Sequence, residues 1–224
     1  MSAPLARRVA SEALGTALLL ATVVGSGIMG ESLADGSVAI ALLANTIATG
    51  AILIALIAAL GSTSGAHLNP SVTLAMALAG ALAWRDVAPY VVAQLLGALA
   101  GVAAAHVMFE LPVVSLSTHV RTGSGQWFAE LVATFGLLAT VFGCARTNPE
   151  RVPLAVGAYI VAGYWFTAST SFANPAVTVA RAFTETFAGI RAVDVPAFVV
   201  AQILGALLAA ALFRWLIPLA KESA

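Results

Sequence analysis

The stretch Ser64-Gly65-Ala66-His67-Leu68-Asn69-Pro70-Ser71-Val72-Thr73 decides the fold, because its Asn-Pro centre returns 105 positions later in Ser171-Phe172-Ala173-Asn174-Pro175-Ala176-Val177-Thr178. Asn is a strong helix N-cap, and Pro suits the next position because the N–H it lacks would have no helical partner there. Each Asn-Pro therefore predicts a helix start. The apolar piece that follows each is only about 10 residues long, too short to cross a bilayer, which takes about 20. The segments before them, 61–68 and 167–173, are small and polar enough to run as extended chain.

Working outward, the repeat widens. Residues 69–77 agree with 174–182 at six of nine positions, and 86–99 with 194–207 at ten of fourteen. Glu12-x-x-x-Thr16 pairs with Glu130-x-x-x-Thr134. The three pairs keep their order at offsets of 118, 105 and 108, so loop lengths differ between halves while core segments persist. The domain reading is one unit over 1–224, with a first repeat at about 9–108 and a second at about 127–217.

The chain is 61% hydrophobic and 9% charged over 224 residues, with zero formal net charge. One soluble core cannot hide that much hydrocarbon, so lipid is the expected solvent. Spans are expected at about 9–29, 37–60, 86–108, 127–145, 152–168 and 195–217, the fifth being short. The first could pass for a signal peptide, but its counterpart near Glu130 lies mid-chain, so a retained span is preferred. The fold class is an all-α membrane protein: six spanning helices plus two re-entrant half-helices in an inverted repeat. No basic stripe, phosphate loop, metal-ligand spacing or nucleophile-base set is present, so no nucleic-acid partner, metal, cofactor or enzymatic activity is expected. The lone Cys144 reads as a packing residue.

Six spans put both termini on one side. A cytoplasmic N-terminus places Arg7, Arg8, Arg85, Arg146, Arg151, Arg214 and Lys221 inside, against Arg121, Arg181 and Arg191 outside, the orientation the positive-inside rule favours. The halves are then inverted, an arrangement that puts working sites near the midplane. Irregular backbone at that depth survives only when buried in protein or lining a wet cavity. Two half-helices meeting N-terminus to N-terminus place about half a positive charge each at the centre, a barrier to cations. With its oxygen engaged in capping, each Asn amide offers N–H donors to a neutral solute. A conduit for small uncharged polar molecules follows.

The paired motifs resemble the signature loops of the aquaporin and aquaglyceroporin family, the major intrinsic proteins, and the likeness runs from Glu12 to about Trp215. The resemblance implies one pore per subunit and a homotetramer in a bacterial inner or plasma membrane. It implies a pore centre of Asn69, Pro70, Ser71, Asn174, Pro175 and Ala176. Pore-lining carbonyls are implied at Gly65, Ala66, His67, Leu68, Phe172 and Ala173, with Glu12 and Glu130 anchoring the loops. Two departures stand out. Ser71 replaces the usual Ala, and Val177 stands where most members carry a filter Arg.

A gapless count along the family pattern puts the rest of the filter at Thr49, Ala162 and Ser171. A quartet of Thr49, Ala162, Ser171 and Val177 has no aromatic ring, His or Arg, so the filter is expected to be wide and weakly polar. That implies a passive channel for glycerol, urea or arsenous-acid-like metalloid hydroxides, with water alongside. The alternatives are a water-selective channel and a proton-coupled transporter using Glu12 and Glu130. Arg181, one turn past Val177, reads either as a displaced filter charge or, in the preferred reading, as an interfacial Arg near Glu185. His67 reads as a neutral side chain bonded to loop backbone in preference to a pH sensor. His106 and His119 read as interfacial or loop residues. Gln94 and Gln202 read as structural, beside close-packed Gly97, Gly101, Gly205 and Ala209, and Trp84, Trp127 and Trp215 as interface anchors.

Overall fold

The computed structural model describes residues 3–216, so Lys221 and the last residue of the expected sixth span lie outside the described residues. Five long helices, α1 (Leu5–Leu33), α2 (Val38–Ser64), α4 (Trp84–Met108), α5 (Ser124–Thr147) and α8 (Val195–Leu216), are long and apolar enough to cross a bilayer. The remaining long element, α6 (Val152–Phe166), has 15 residues and a 3-10 turn at Pro149–Arg151 before it. At about 1.5 Å per residue it falls short of the hydrocarbon thickness. Thr167 ends it by turning to extended backbone, its hydroxyl donating to the Gly163 carbonyl at 2.7 Å.

The two short helices are α3 (Pro70–Leu78) and α7 (Pro175–Ala180), each with Pro at its first position. Asn69 caps α3, its side-chain oxygen accepting from the Ser71 N–H at 2.9 Å. Asn174 caps α7, accepting from Ala176 at 3.0 Å and Val177 at 3.3 Å. The reading of 61–68 as extended needs correction, since α2 runs on to Ser64. Gly65 stops it at φ +89°, a left-handed cap in which its N–H bonds the Gly61 carbonyl. Only four residues separate that cap from α3.

Within the first half α1 packs on α2 and α4. Within the second, α5 packs on α6 and α8, and α2 meets α6 across the middle. A Cβ on Gly97 would strike the Ala13 carbonyl, and one on Gly205 the Leu131 carbonyl, so the matched small residues let α1 and α4, and α5 and α8, approach backbone to backbone. The half-helices are exchanged between halves. Val72 and Ala75 of α3 join the core of Leu137, Leu138, Val141, Ile160 and Ala206, whereas Ala176, Val177 and Ala180 of α7 join Leu19, Val23, Leu56 and Val102. Neither half can bury its apolar surface without the other.

The half-helices enter from opposite faces. Ala77, near the end of α3, packs on Leu82 and Tyr90 at the start of α4, beside Val9. Ala182, past the end of α7, packs on Ile190 and Phe198 near the start of α8, and its carbonyl accepts from Ser117. On the outer surface Leu14, Leu43, Ile47, Val92, Leu96, Val200 and Leu208 are exposed, the pattern of helices solvated by lipid. Trp84, Trp127 and Trp215 are exposed near helix ends, and Cys144 is a free, partly buried thiol.

Candidate functional site: a passage between two half-helix tips

The two loops that precede the half-helices share one conformation. Positive φ falls at Gly65, Ala66 and Leu68 in the first and at Thr170, Ser171 and Ala173 in the second, each pair 105 residues apart. Left-handed backbone costs a non-glycine residue about 1–2 kcal/mol, so five such residues need support. The buried carboxylates supply it. Glu12 accepts from the N–H groups of His67 (2.9 Å) and Leu68 (2.6 Å), and Glu130 from those of Phe172 and Ala173 (both 2.8 Å).

A glutamine completes each anchor. Gln94 Nε2 donates to Glu12 (2.8 Å) and to the Thr73 hydroxyl (2.9 Å), and Gln202 Nε2 donates to Glu130 (2.6 Å) and Thr178 (2.8 Å). Thr73 and Thr178 bond back to the carbonyls of their own capping asparagines. Carboxylate, amide and hydroxyl thus lock loop and half-helix to a spanning helix in both halves. The Glu-x-x-x-Thr likeness is less even. Thr16 donates to the Glu12 carbonyl at 2.7 Å, while the Thr134 hydroxyl has no hydrogen-bond partner among the described residues.

At the meeting point the capping asparagines reach across. Asn69 Nδ2 donates to the Ala173 carbonyl at 2.7 Å, and Asn174 Nδ2 to the Leu68 carbonyl at 2.8 Å. This adjusts the expectation in two ways. One N–H of each amide holds the opposite tip, leaving the second for a solute, and the Leu68 and Ala173 carbonyls serve first as cross-links. Pro70, Ser71, Pro175 and Ala176 are buried within the tips and are not among the residues lining the passage, and the added hydroxyl of Ser71 is buried without a hydrogen-bond partner among the described residues.

A continuous cavity of about 490 Å³ runs past both tips, from Arg8, Leu82 and Tyr90 at one mouth to Val177 and Arg181 at the other. Asn69, Asn174, Gly65, Ala66, His67 and Phe172 all line it. His67 Nδ1 lies 3.2 Å from the Thr73 hydroxyl, so its ring engages a side chain where a backbone partner was expected. Near the first mouth, Arg8 pairs with Asp86 at 2.9 Å, and Tyr90 donates to the Ser64 carbonyl, tying α1, α4 and the end of α2 together.

A family model described as major intrinsic protein matches residues 1–171 and 147–223. The chain belongs to that family. It is 58% identical over 217 residues to the aquaglyceroporin AqpS of Rhizobium meliloti (strain 1021), covering 97% of this chain and 93% of that one. It is 33% identical over 177 residues to the aquaporin AqpM of Methanothermobacter thermautotrophicus, with 70% of each chain covered. The X-ray structure of the aquaglyceroporin from Plasmodium falciparum superposes with a TM-score of 0.71 at 20% identity, covering 94% of this chain and 96% of that one, which shows the shared fold. As a major intrinsic protein the chain is a membrane channel and not an enzyme.

Against the usual filter of the major intrinsic proteins, three of the four expected positions, Thr49, Ser171 and Val177, line the cavity together. Ala162 does not. It is exposed on the outside of α6, and the side chain facing inward is Tyr164, whose hydroxyl lies 3.2 Å from that of Thr49. The gapless count is off by two residues, which turns a helical position to the other side. The signal was the i,i+4 stripe Val152, Val156, Ile160 and Tyr164, all of which line the cavity. An aromatic ring therefore does border the cavity beside Thr49.

Arg181 also departs from the preferred reading. Glu185 lies on the surface, engaged by the Thr118 N–H (2.5 Å) and hydroxyl (2.6 Å), bonds that hold its carboxyl below the usual range. Arg181 is 2% exposed and lines the cavity. Its guanidinium carbon sits 3.4 Å from the centroid of the Phe172 ring, and its Nε donates to the Ala188 carbonyl. His106, expected at an interface or in a loop, is fully buried near the end of α4 between the Val113 carbonyl (3.1 Å) and the Thr184 hydroxyl (2.7 Å), where it ties two loops together. His119 is an exposed loop residue.

Proposed function

We propose that this channel passes neutral polar solutes larger than water, of the class of glycerol, urea and undissociated arsenous acid, with water alongside. The observation that carries the reading is Val177: the residue after the second Asn-Pro-Ala triad lines the cavity with an apolar side chain, and the nearest Arg along the chain, Arg181 just past the end of α7, lays its guanidinium over Phe172. An Arg at the constriction both narrows it and adds charge. Here Val177, Thr49, Ser171 and Tyr164 leave hydroxyl groups and a ring edge, partners for a molecule with hydroxyl groups on one side and carbon on the other. The likeness to the Rhizobium aquaglyceroporin supports the same class.

Passage is passive and follows the solute gradient. At the centre, Asn69 and Asn174 each offer one remaining N–H, and the facing helix N-termini oppose a cation. An ion sheds hydration worth far more than these groups restore. Carbonyls of the Gly65–His67 and Ser171–Phe172 backbone complete the partners along the way, while Glu12 and Glu130 act as anchors and take no part in proton transport.

The two repeats work as one domain, since each lends its half-helix to the other. Both termini face the cytoplasm of a bacterium, because Arg7, Arg8, Arg85, Arg146, Arg151 and Arg214 belong to one face, and the protein assembles as a homotetramer. Cross-linking in membranes should show a four-subunit ladder. Labelling of a cysteine placed at Ala3 from the cytoplasmic side alone checks the orientation.

The Thr49–Tyr164 bond favours a second reading, a filter closed to all but water. Swelling of reconstituted vesicles decides between them. Glycerol and urea entering faster than into empty vesicles supports the wider channel. Entry of water alone refutes it.

A further inference from the structure

The mouth at Arg181 carries more positive charge than its protein partners answer. Arg181 holds its guanidinium over the Phe172 ring, and Arg121 reaches the same ring from the 109–123 loop, its guanidinium carbon 5.0 Å from the centroid. Each spends its Nε on a carbonyl, Arg181 on Ala188 and Arg121 on Gly189 (2.8 Å). Among the described residues neither guanidinium has a carboxylate within 4.0 Å, the ion pairs there belonging to Arg8, Arg85 and Arg191. The neighbouring acids are already engaged. Asp194 binds the Arg191 side chain and the Arg121 backbone N–H, Glu185 binds Thr118, and Glu130 holds Phe172, Ala173 and Gln202.

A guanidinium withdrawn from water is expensive unless something negative answers it, and several kcal/mol is the usual order. The outer nitrogens of Arg181 bond no described protein atom, and the residue lines the cavity, so its planar fork is offered to whatever enters. Such a fork matches two oxygens of one carboxylate or oxyanion, and the Phe172 face holds it flat. The second guanidinium, against the same ring, adds to the attraction.

We propose that Arg181, with Arg121 on the same Phe172 ring, forms a subsite for a small monovalent oxyanion at this mouth of the channel. The anion binds there and is held back from the constriction, because Val177 and Tyr164 offer too little to replace its hydration. Bound, it occupies the entrance and competes with neutral solutes. This rests on the channel reading given above, and it separates two tasks: Val177 and Tyr164 set width, Arg181 sets charge preference.

The test uses the full chain in vesicles with equal salt on both sides, so that orientation in the bilayer is immaterial. Glycerol entry is followed by light scattering in sodium methanesulfonate and in sodium gluconate, a bulkier monoanion. Methanesulfonate should slow entry at least about twofold relative to gluconate. Arg181→Gln should raise the concentration needed about tenfold or more, a free-energy difference near 1.4 kcal/mol. Arg121→Gln should raise it about threefold. Equal effects of the two salts on the wild-type chain, or unchanged inhibition in a folded Arg181→Gln variant, overturns the proposal. Should Arg181→Gln not fold, the salt comparison and Arg121→Gln still decide. If glycerol does not enter at all, the channel reading fails separately. Broadening of ¹³C-methanesulfonate resonances by the solubilised protein then tests the subsite alone, and its absence refutes it.

Discussion

Replacing Glu130 by Gln keeps the size of the anchor and removes one acceptor. In the wild-type chain its two oxygens take three bonds, from the Phe172 N–H, the Ala173 N–H and Gln202 Nε2, at 2.6–2.8 Å. A glutamine amide at that place can present oxygen to only one of the two backbone N–H groups, so the other faces an NH₂. An unsatisfied buried N–H costs about 1–3 kcal/mol; an amide oxygen kept at the Oε2 place still serves both Ala173 and Gln202, but without the charge that strengthened those bonds, for a total of about 2–4 kcal/mol. That penalty falls on a loop already held at positive φ in Thr170, Ser171 and Ala173, so the loop relaxes first and the helix bundle stays. Relaxation withdraws the Ala173 carbonyl from Asn69 and parts the two tips. A bias of about 3 kcal/mol changes the ratio of ordered to relaxed loops by roughly 100-fold. Glycerol entry into vesicles is expected to fall at least about tenfold, with helical circular dichroism unchanged. Glu12→Gln should act in the same direction, because Glu12 holds His67, Leu68, Gln94 and the Ser64 hydroxyl, the last at 2.7 Å. Wild-type flux in either folded variant would refute the anchoring role.

Val177→Arg should suppress glycerol entry more than water entry, since it adds bulk and charge at the constriction; equal slowing of both contradicts the assignment. Tyr164→Ala should raise the entry of solutes larger than glycerol several-fold, whereas Ala162→Val, on the outside of α6, should change entry by less than about twofold; the reverse order would restore the gapless count. Gly97→Val should destabilise the solubilised protein by about 3 kcal/mol or more, because the added side chain meets the Ala13 carbonyl and not a yielding side chain. The Glu185 carboxyl is held below the ordinary range by Thr118, so its contribution is complete above the unfolded value and is lost only as pH falls through the lowered one. Amide exchange at Thr118 should therefore stay slow through the usual carboxylate range and quicken below it, and Glu185→Gln should remove that acid step.

The parts of the site built from local rules were legible in the sequence. Asn-Pro announces a helix start wherever it occurs, and the family resemblance named Glu12 and Glu130 as loop anchors; that Gln94, Gln202, Thr73 and Thr178 complete those anchors was not read from the sequence, where the glutamines stood as packing residues. What was not legible depended on register or distance. Tyr164 was missed because α6 has no counterpart motif to fix its phase, and a two-residue error turns a helix face. Gly61–Ser64 looked like coil from composition, yet they continue α2, since the stop comes from Gly65 and its left-handed turn. The setting of Arg181 required loop residues such as Arg121, remote in sequence, and the ring of Phe172, whose side chain had been passed over in favour of its carbonyl.

The most direct test of the central claim, a passive passage between cross-linked tips, is glycerol flux measured against the imposed solute gradient, with and without a pH gradient, in vesicles containing the wild-type chain. The account predicts entry faster than in empty vesicles, proportional to the gradient, without saturation, and indifferent to the pH difference. Entry that saturates and follows the pH gradient uphill, or that is no faster than through lipid alone, would contradict it.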